Sequence, residues 1–180
     1  MTNNKTIAKN TLMLYFRMLL TMGVALYTVR VVLNVLGIVD YGIYNVVGGI
    51  VSFLGVLNGA LISGTQRFLS FELGRGDFKQ YRRVFSMMLI IFVILSGIVL
   101  VTALIFGNWV INDFLVIPES RLTVAKWLFT FSVVTFITDL TGIPYMSSVI
   151  AHEKMSIYAY MSILEALLKL AVVYLLKISV

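Results

Sequence analysis

One carboxylate stands where charge is costly. Asp139 lies in the middle of an apolar run, flanked by Thr135, Thr138, Thr141 and Gly142. An aspartate at the centre of a bilayer-spanning helix costs about 2.5–3.5 kcal/mol on insertion scales, so something must offset it. Two chemistries do. One is an ion pair with a basic side chain of another helix, for which Arg17 and Arg30 are the candidates. The other is a proton or coupling-ion site in a polar cavity. Pro144 follows in the same run, where a missing N–H kinks or locally opens a helix.

Arg17 and Arg30 share the first apolar run. At about 100° per residue, Asn10, Arg17, Thr21 and Thr28 form one stripe, and Gly23, Tyr27, Arg30 and Asn34 a second. The arginines have two readings. They snorkel to opposite interfaces on their aliphatic stems, or they line a cavity where a guanidinium takes phosphate in bidentate fashion. The second run carries Asn45, Ser52, Asn58 and Gln66, whose polar groups need partners inside a bundle or water in a cavity. Gly48 and Ser52 are four apart, as are Gly55, Gly59 and Ser63, the small-residue spacing that lets helices approach closely in lipid. Glu165 and Lys169 stand at i and i+4, the favourable order for an internal helical ion pair.

The elements that hold these residues follow from composition. Of 180 residues, 60% are hydrophobic and 12% charged, with a mean hydropathy of +0.99. Soluble domains carry about 25% charged residues, so lipid is the solvent this surface suits. A spanning helix needs roughly 20 apolar residues. The ranges 11–36, 43–66, 84–106, 127–150 and 157–177 qualify. The expected fold is therefore all-α, a polytopic transmembrane bundle of about five helices in a single domain over 1–180. Between them lie a short link from Gly37 to Gly42, read as the turn of an antiparallel hairpin, and a basic link at 67–83, where Gly74 and Gly76 break any continuous helix. A nearly balanced link follows at 107–126, bounded by Trp109 and Trp127, and then AHEKMS at 151–156.

Other chemistry is excluded by what the sequence holds. There is no cysteine and one histidine, His152, so a thiolate or histidine metal cluster is not expected. Nucleophile, zincin and P-loop motifs are lacking, and no cofactor or enzymatic activity is expected. The net charge of +6 lies mostly between apolar runs, as in loops beside an anionic membrane, and does not point to nucleic acid.

Several stretches together resemble one family. They are KNTLMLYFRMLLTM from Lys9, YTVRVVLNVLGIVDYGIYNVVGGIV from Tyr27, LNGALISGTQRFLSFELGRGDF from Leu57 and IPYMSSVIAHEKMSIYAYMSILEALLKL from Ile143. The most specific pieces are the LG-x-x-D-Y-G-x-Y turn at 36–44 and the QRF-x-S-x-E-L-G-x-G-D segment at 66–77. They resemble bacterial polysaccharide flippases of the lipopolysaccharide O-antigen exporter type, in the multidrug, oligosaccharidyl-lipid and polysaccharide exporter superfamily. The resemblance implies the first five helices of a protein of about twelve to fourteen, so a portion of a longer transporter. It implies a multi-pass location in the bacterial inner membrane and alternating-access transport of an anionic lipid-linked sugar. Membrane lipids and polysaccharide assembly proteins are the implied partners. In that setting Arg17 and Arg30 would meet phosphate, and Asn58 and Gln66 the sugar. The alternatives are a cation-coupled multidrug or small-solute antiporter of the same superfamily, with Asp139 as its ion site, and a truncated membrane protein that does not transport.

Basic residues orient the chain. With the N-terminus cytoplasmic, Lys5, Lys9, Arg67, Arg75, Lys79, Arg82, Arg83 and Lys154 lie inside, and only Arg121 and Lys126 outside. That asymmetry is the positive-inside pattern. A reporter active only in the cytoplasm should therefore be silent when fused after Val180. Strong activity there would reverse the assigned orientation or change the helix count.

Overall fold

Helices account for nearly all of the backbone, because in an apolar environment only internally bonded structure satisfies the peptide groups. The computed structural model describes residues 2–115 and 117–179. The side chains of 2–7, 9, 10, 176 and 179 lie outside the described set, and with them those of Lys5, Lys9 and Asn10. Five helices follow in order: α1 Thr2–Leu54, α2 Val56–Arg75, α3 Phe78–Trp109, α4 Leu122–Ala151 and α5 Met155–Ser179. A π-helical turn at Val110–Phe114 and a 3-10 turn at Glu119–Arg121 lie between α3 and α4.

Four stretches are long and apolar enough to cross a membrane: Thr11–Arg75, Phe78–Phe114, Glu119–Ala151 and Met155–Leu175. This is one fewer than the five expected, because the first two runs are fused. A straight helix of 65 residues would measure about 98 Å, roughly three times the hydrocarbon thickness. The fused run is broken at Gly37, with φ 74° and ψ 173°, a conformation open essentially to glycine alone. The turn expected over Gly37 to Gly42 is thus concentrated in its first residue, since Ile38, Val39 and Tyr41 keep helical geometry. A second, milder step falls at Gly55, whose N–H donates to the Ser52 carbonyl at 2.9 Å.

The expected loop at 67–83 is also mostly helical. Helix α2 runs on through Gly74 to Arg75, so only Gly76 acts as a stop, at φ 72°. Its N–H donates to the Leu73 carbonyl at 3.1 Å. Asp77 then caps α3 by accepting from the Gln80 N–H at 2.9 Å, the usual service of aspartate at a helix start. The arginines therefore sit on helical extensions. Helix α4 runs unbroken through Pro144. Between α4 and α5, Glu153 takes φ 56°.

The chain divides into two compact units, one formed by 1–41 with 153–180 and the other by 42–152. The second is built around α4. Val133, Phe136, Leu140 and Ile143 of α4 pack with Val51 and Phe92, while Ala125 joins Ile43, Val47 and Ile111 in a second cluster. Ser147 donates to the Ile62 carbonyl of α2 at 3.1 Å. The Tyr81 hydroxyl of α3 lies 2.7 Å from Ser148 Oγ, and its ring meets His152 edge-on at 5.4 Å. Gly107 is required for close packing, since a Cβ there would fall 2.7 Å from Phe129 Cε1. Most other apolar area faces outward. Only 11% of the most apolar window of Phe78–Phe114 is buried, the inverse of a soluble fold and the architecture of a multi-pass membrane protein.

Candidate functional site

Spacing along two helical segments assembles a cavity of mixed polar and apolar lining within the second unit. On α4, Ser132, Thr135 and Asp139 fall at i, i+3 and i+7 and share a face. On the 38–54 part of α1, Asn45, Gly48, Gly49 and Ser52 repeat at helical spacing. These residues, with Tyr44, Gly55, Phe131 and Phe136, line a cavity of about 580 Å³, within the usual range of ligand pockets, about 300–1,000 Å³.

Glycine makes the space. A Cβ at Gly49 would meet nothing within 4 Å, and one at Gly48 would stop 4.0 Å from Ser132 Oγ. The small residues here leave a groove between the two helical segments. At Gly59, farther along α2, the space is likewise open. Thr135 Oγ1 donates to the Phe131 carbonyl at 2.9 Å, and so keeps its lone pairs for an acceptor role in the groove.

Asp139 is therefore on a cavity wall and on the same wall as Ser132 and Thr135. Arg17 and Arg30, its anticipated ion-pair partners, belong to the other unit. Of the residues expected to hold substrate, Asn58 and Gln66 share a unit with the Asp139 cavity. Asn58 and Gln66 are half-buried on α2, outside its lining, and Asn58 Oδ1 is buried without a hydrogen bond among the described residues. Sequence reading missed Tyr44, Phe131 and Ser132. The available signal was the polar stripe of α4, since Ser132 stands three residues before Thr135 and seven before Asp139.

In the first unit, Arg17 is engaged by α5. Its Nη1 donates to Ser162 Oγ at 3.2 Å, and its Cζ lies 4.3 Å from the centre of the Tyr158 ring. Ser162 passes its own proton to the Tyr158 carbonyl at 3.0 Å, which leaves a lone pair directed at the guanidinium. The charge is thus held by a ring face and a hydroxyl, a partner set that no spacing rule within α1 reveals. Arg30 is exposed and lines a separate pocket with Lys177. Glu165 and Lys169 pair at 2.7 Å, both about two-thirds exposed, at 63% and 66%.

Compared with protein-family models, curated proteins and solved structures, the chain matches none.

The Arg17 contacts predict a stability effect that snorkelling does not. Arg17→Met keeps an apolar stem of similar reach and removes both the ring contact and the hydrogen bond. It should lower the unfolding free energy in detergent micelles by about 1–2 kcal/mol. A denaturation midpoint equal to that of the unsubstituted protein would show that the guanidinium merely reaches the interface.

Proposed function

We propose that this chain is a component of a membrane transporter that moves a lipid-linked oligosaccharide across the bacterial plasma membrane for surface polysaccharide synthesis. The observation that carries the reading is a cavity of about 580 Å³ lined by both polar side chains and aromatic rings. Its chemistry suits a sugar. Asn45, Ser52, Ser132 and Thr135 offer donors and acceptors to hydroxyls, and Tyr44, Phe131 and Phe136 offer flat faces to the C–H side of a pyranose ring. The motifs at 36–44 and 66–77 support the same family reading. Basic side chains on the helical ends around Gly76, among them Arg75, Arg82 and Arg83, would concentrate an anionic substrate at the cytoplasmic face.

A second reading takes its support from Asp139 on the cavity wall. A carboxylate there is the group a cation-coupled antiporter of small solutes requires. The two readings differ in what occupies the cavity.

The test places a photoreactive benzophenone side chain at Phe131, which lines the cavity. The control position is Ile94, which is 58% exposed on α3. Irradiated cells that make a lipid-linked oligosaccharide should yield an adduct at 131, from which mild acid frees the polyprenyl diphosphate and leaves the sugar attached, and none at 94. An empty position 131, combined with solute efflux abolished by Asp139→Asn, would replace the flippase reading with the antiporter one.

A further inference from the structure

The second pocket lies wholly in the first unit and has a different chemistry. It measures about 290 Å³ and is lined by Tyr27, Arg30, Val31, Asn34, Val35 and Lys177. Two of the six are cations and none is acidic. Among the described residues neither Arg30 nor Lys177 has an ion-pair partner. Tyr27, Arg30 and Asn34 fall at i−3, i and i+4 on one face of α1, so a hydroxyl, a guanidinium and an amide converge from one helix. Lys177 comes from the last turn of α5.

The depth of this pocket follows from helix length. The 23 residues from Met155 to Lys177 span about 33 Å at the standard rise, against a hydrocarbon core of about 30 Å. Arg17 meets Ser162 near the start of α5, and Arg30 meets the Lys177 level, so α1 and α5 run in the same direction within this unit. One end of the pair is tied by Arg17, and the other end reaches headgroup depth with two cations that have no ion-pair partner among the described residues.

We propose that Arg30 and Lys177 clamp the phosphodiester of an anionic bilayer phospholipid where α1 and α5 meet. Arg30 supplies the planar fork that takes two phosphate oxygens, and Lys177 a point charge. Tyr27 and Asn34 donate to the remaining oxygens or to a glycerol headgroup. Val31 and Val35 form the apolar wall on which the start of an acyl chain rests. The bilayer presents such phosphates at this depth at high local concentration. The inference stands apart from what the Asp139 cavity carries, so either can fail without the other.

The experiment titrates the purified 180-residue chain with phosphatidylglycerol and with phosphatidylcholine, read as lipid-bound species by native mass spectrometry. Phosphatidylglycerol should bind more tightly than phosphatidylcholine. Its affinity should fall roughly fivefold for Arg30→Gln or Lys177→Gln, and about 25-fold for both, with phosphatidylcholine unchanged. The exchanged pair Arg30→Lys with Lys177→Arg keeps both charges and should retain phosphatidylglycerol, which separates lost binding from lost folding. Equal binding of the two lipids, or full retention by the double glutamine variant, overturns the proposal. Displacement by inorganic phosphate at matched concentration would assign the pocket to a soluble anion, and selective displacement by a polyprenyl diphosphate sugar would assign it to the transport substrate. Either result overturns the phospholipid assignment.

Discussion

No polar group that faces lipid can rely on solvent, and the rest of this structure depends on that constraint. Helices satisfy the backbone. Side-chain hydroxyls are then absorbed by the helices themselves: Thr21, Thr102, Thr130, Thr135 and Thr138 each donate to a carbonyl four residues earlier. Other hydroxyls join helices, as Ser147 joins α4 to α2, and Ser162 does both, donating to the Tyr158 carbonyl and accepting from Arg17. A charge needs more than one such bond, because its insertion cost of about 2.5–3.5 kcal/mol exceeds the roughly 0.5–1.5 kcal/mol net of a neutral hydrogen bond. Arg17 therefore has a ring face as well as a hydroxyl, Glu165 has Lys169, and Asp139 has a polar cavity.

The same constraint gives the two units different tasks. In the unit built on α4, small residues open a groove and polar side chains gather on its two walls, so the bundle tolerates a cavity where an apolar core would otherwise close. In the other unit, α1 and α5 are tied at one level through Arg17 and carry their remaining cations at the opposite end. Fixed anchoring at one depth and charge at the other is the arrangement expected of a helix pair held in register with a bilayer.

Helical content was legible because each apolar run is long enough to span, and the run at 84–106 carries no charge to interrupt it. The breaks were less so. Gly74 and Gly76 look alike in sequence, yet only Gly76 adopts a left-handed φ, since a helix needs one stop and Asp77 lies ready to cap the next. Gly37 ends its helix by a single residue's geometry, where composition pointed to a link of six. Polar residues of both walls were visible in the sequence, Thr135 and Asp139 on α4 and Asn45 and Ser52 on α1. That the two walls face each other was not, because pairing between helices leaves no trace in the period of either. Arg17 shows the same limit, since its partner Ser162 lies 145 residues away.

The central claim is that the cavity beside Asp139 is an aqueous, polar space inside the membrane-spanning part of the chain. The sequence contains no cysteine, so single cysteines can be placed without removing any. Ser132→Cys and Thr135→Cys face the cavity, and Val101→Cys replaces a residue 55% exposed on the apolar surface of α3. A charged, membrane-impermeant thiol reagent attacks only a hydrated thiolate. In intact membranes opened to both faces it should modify positions 132 and 135 and spare position 101. Protection of 132 and 135 to the same degree as 101 would contradict the account.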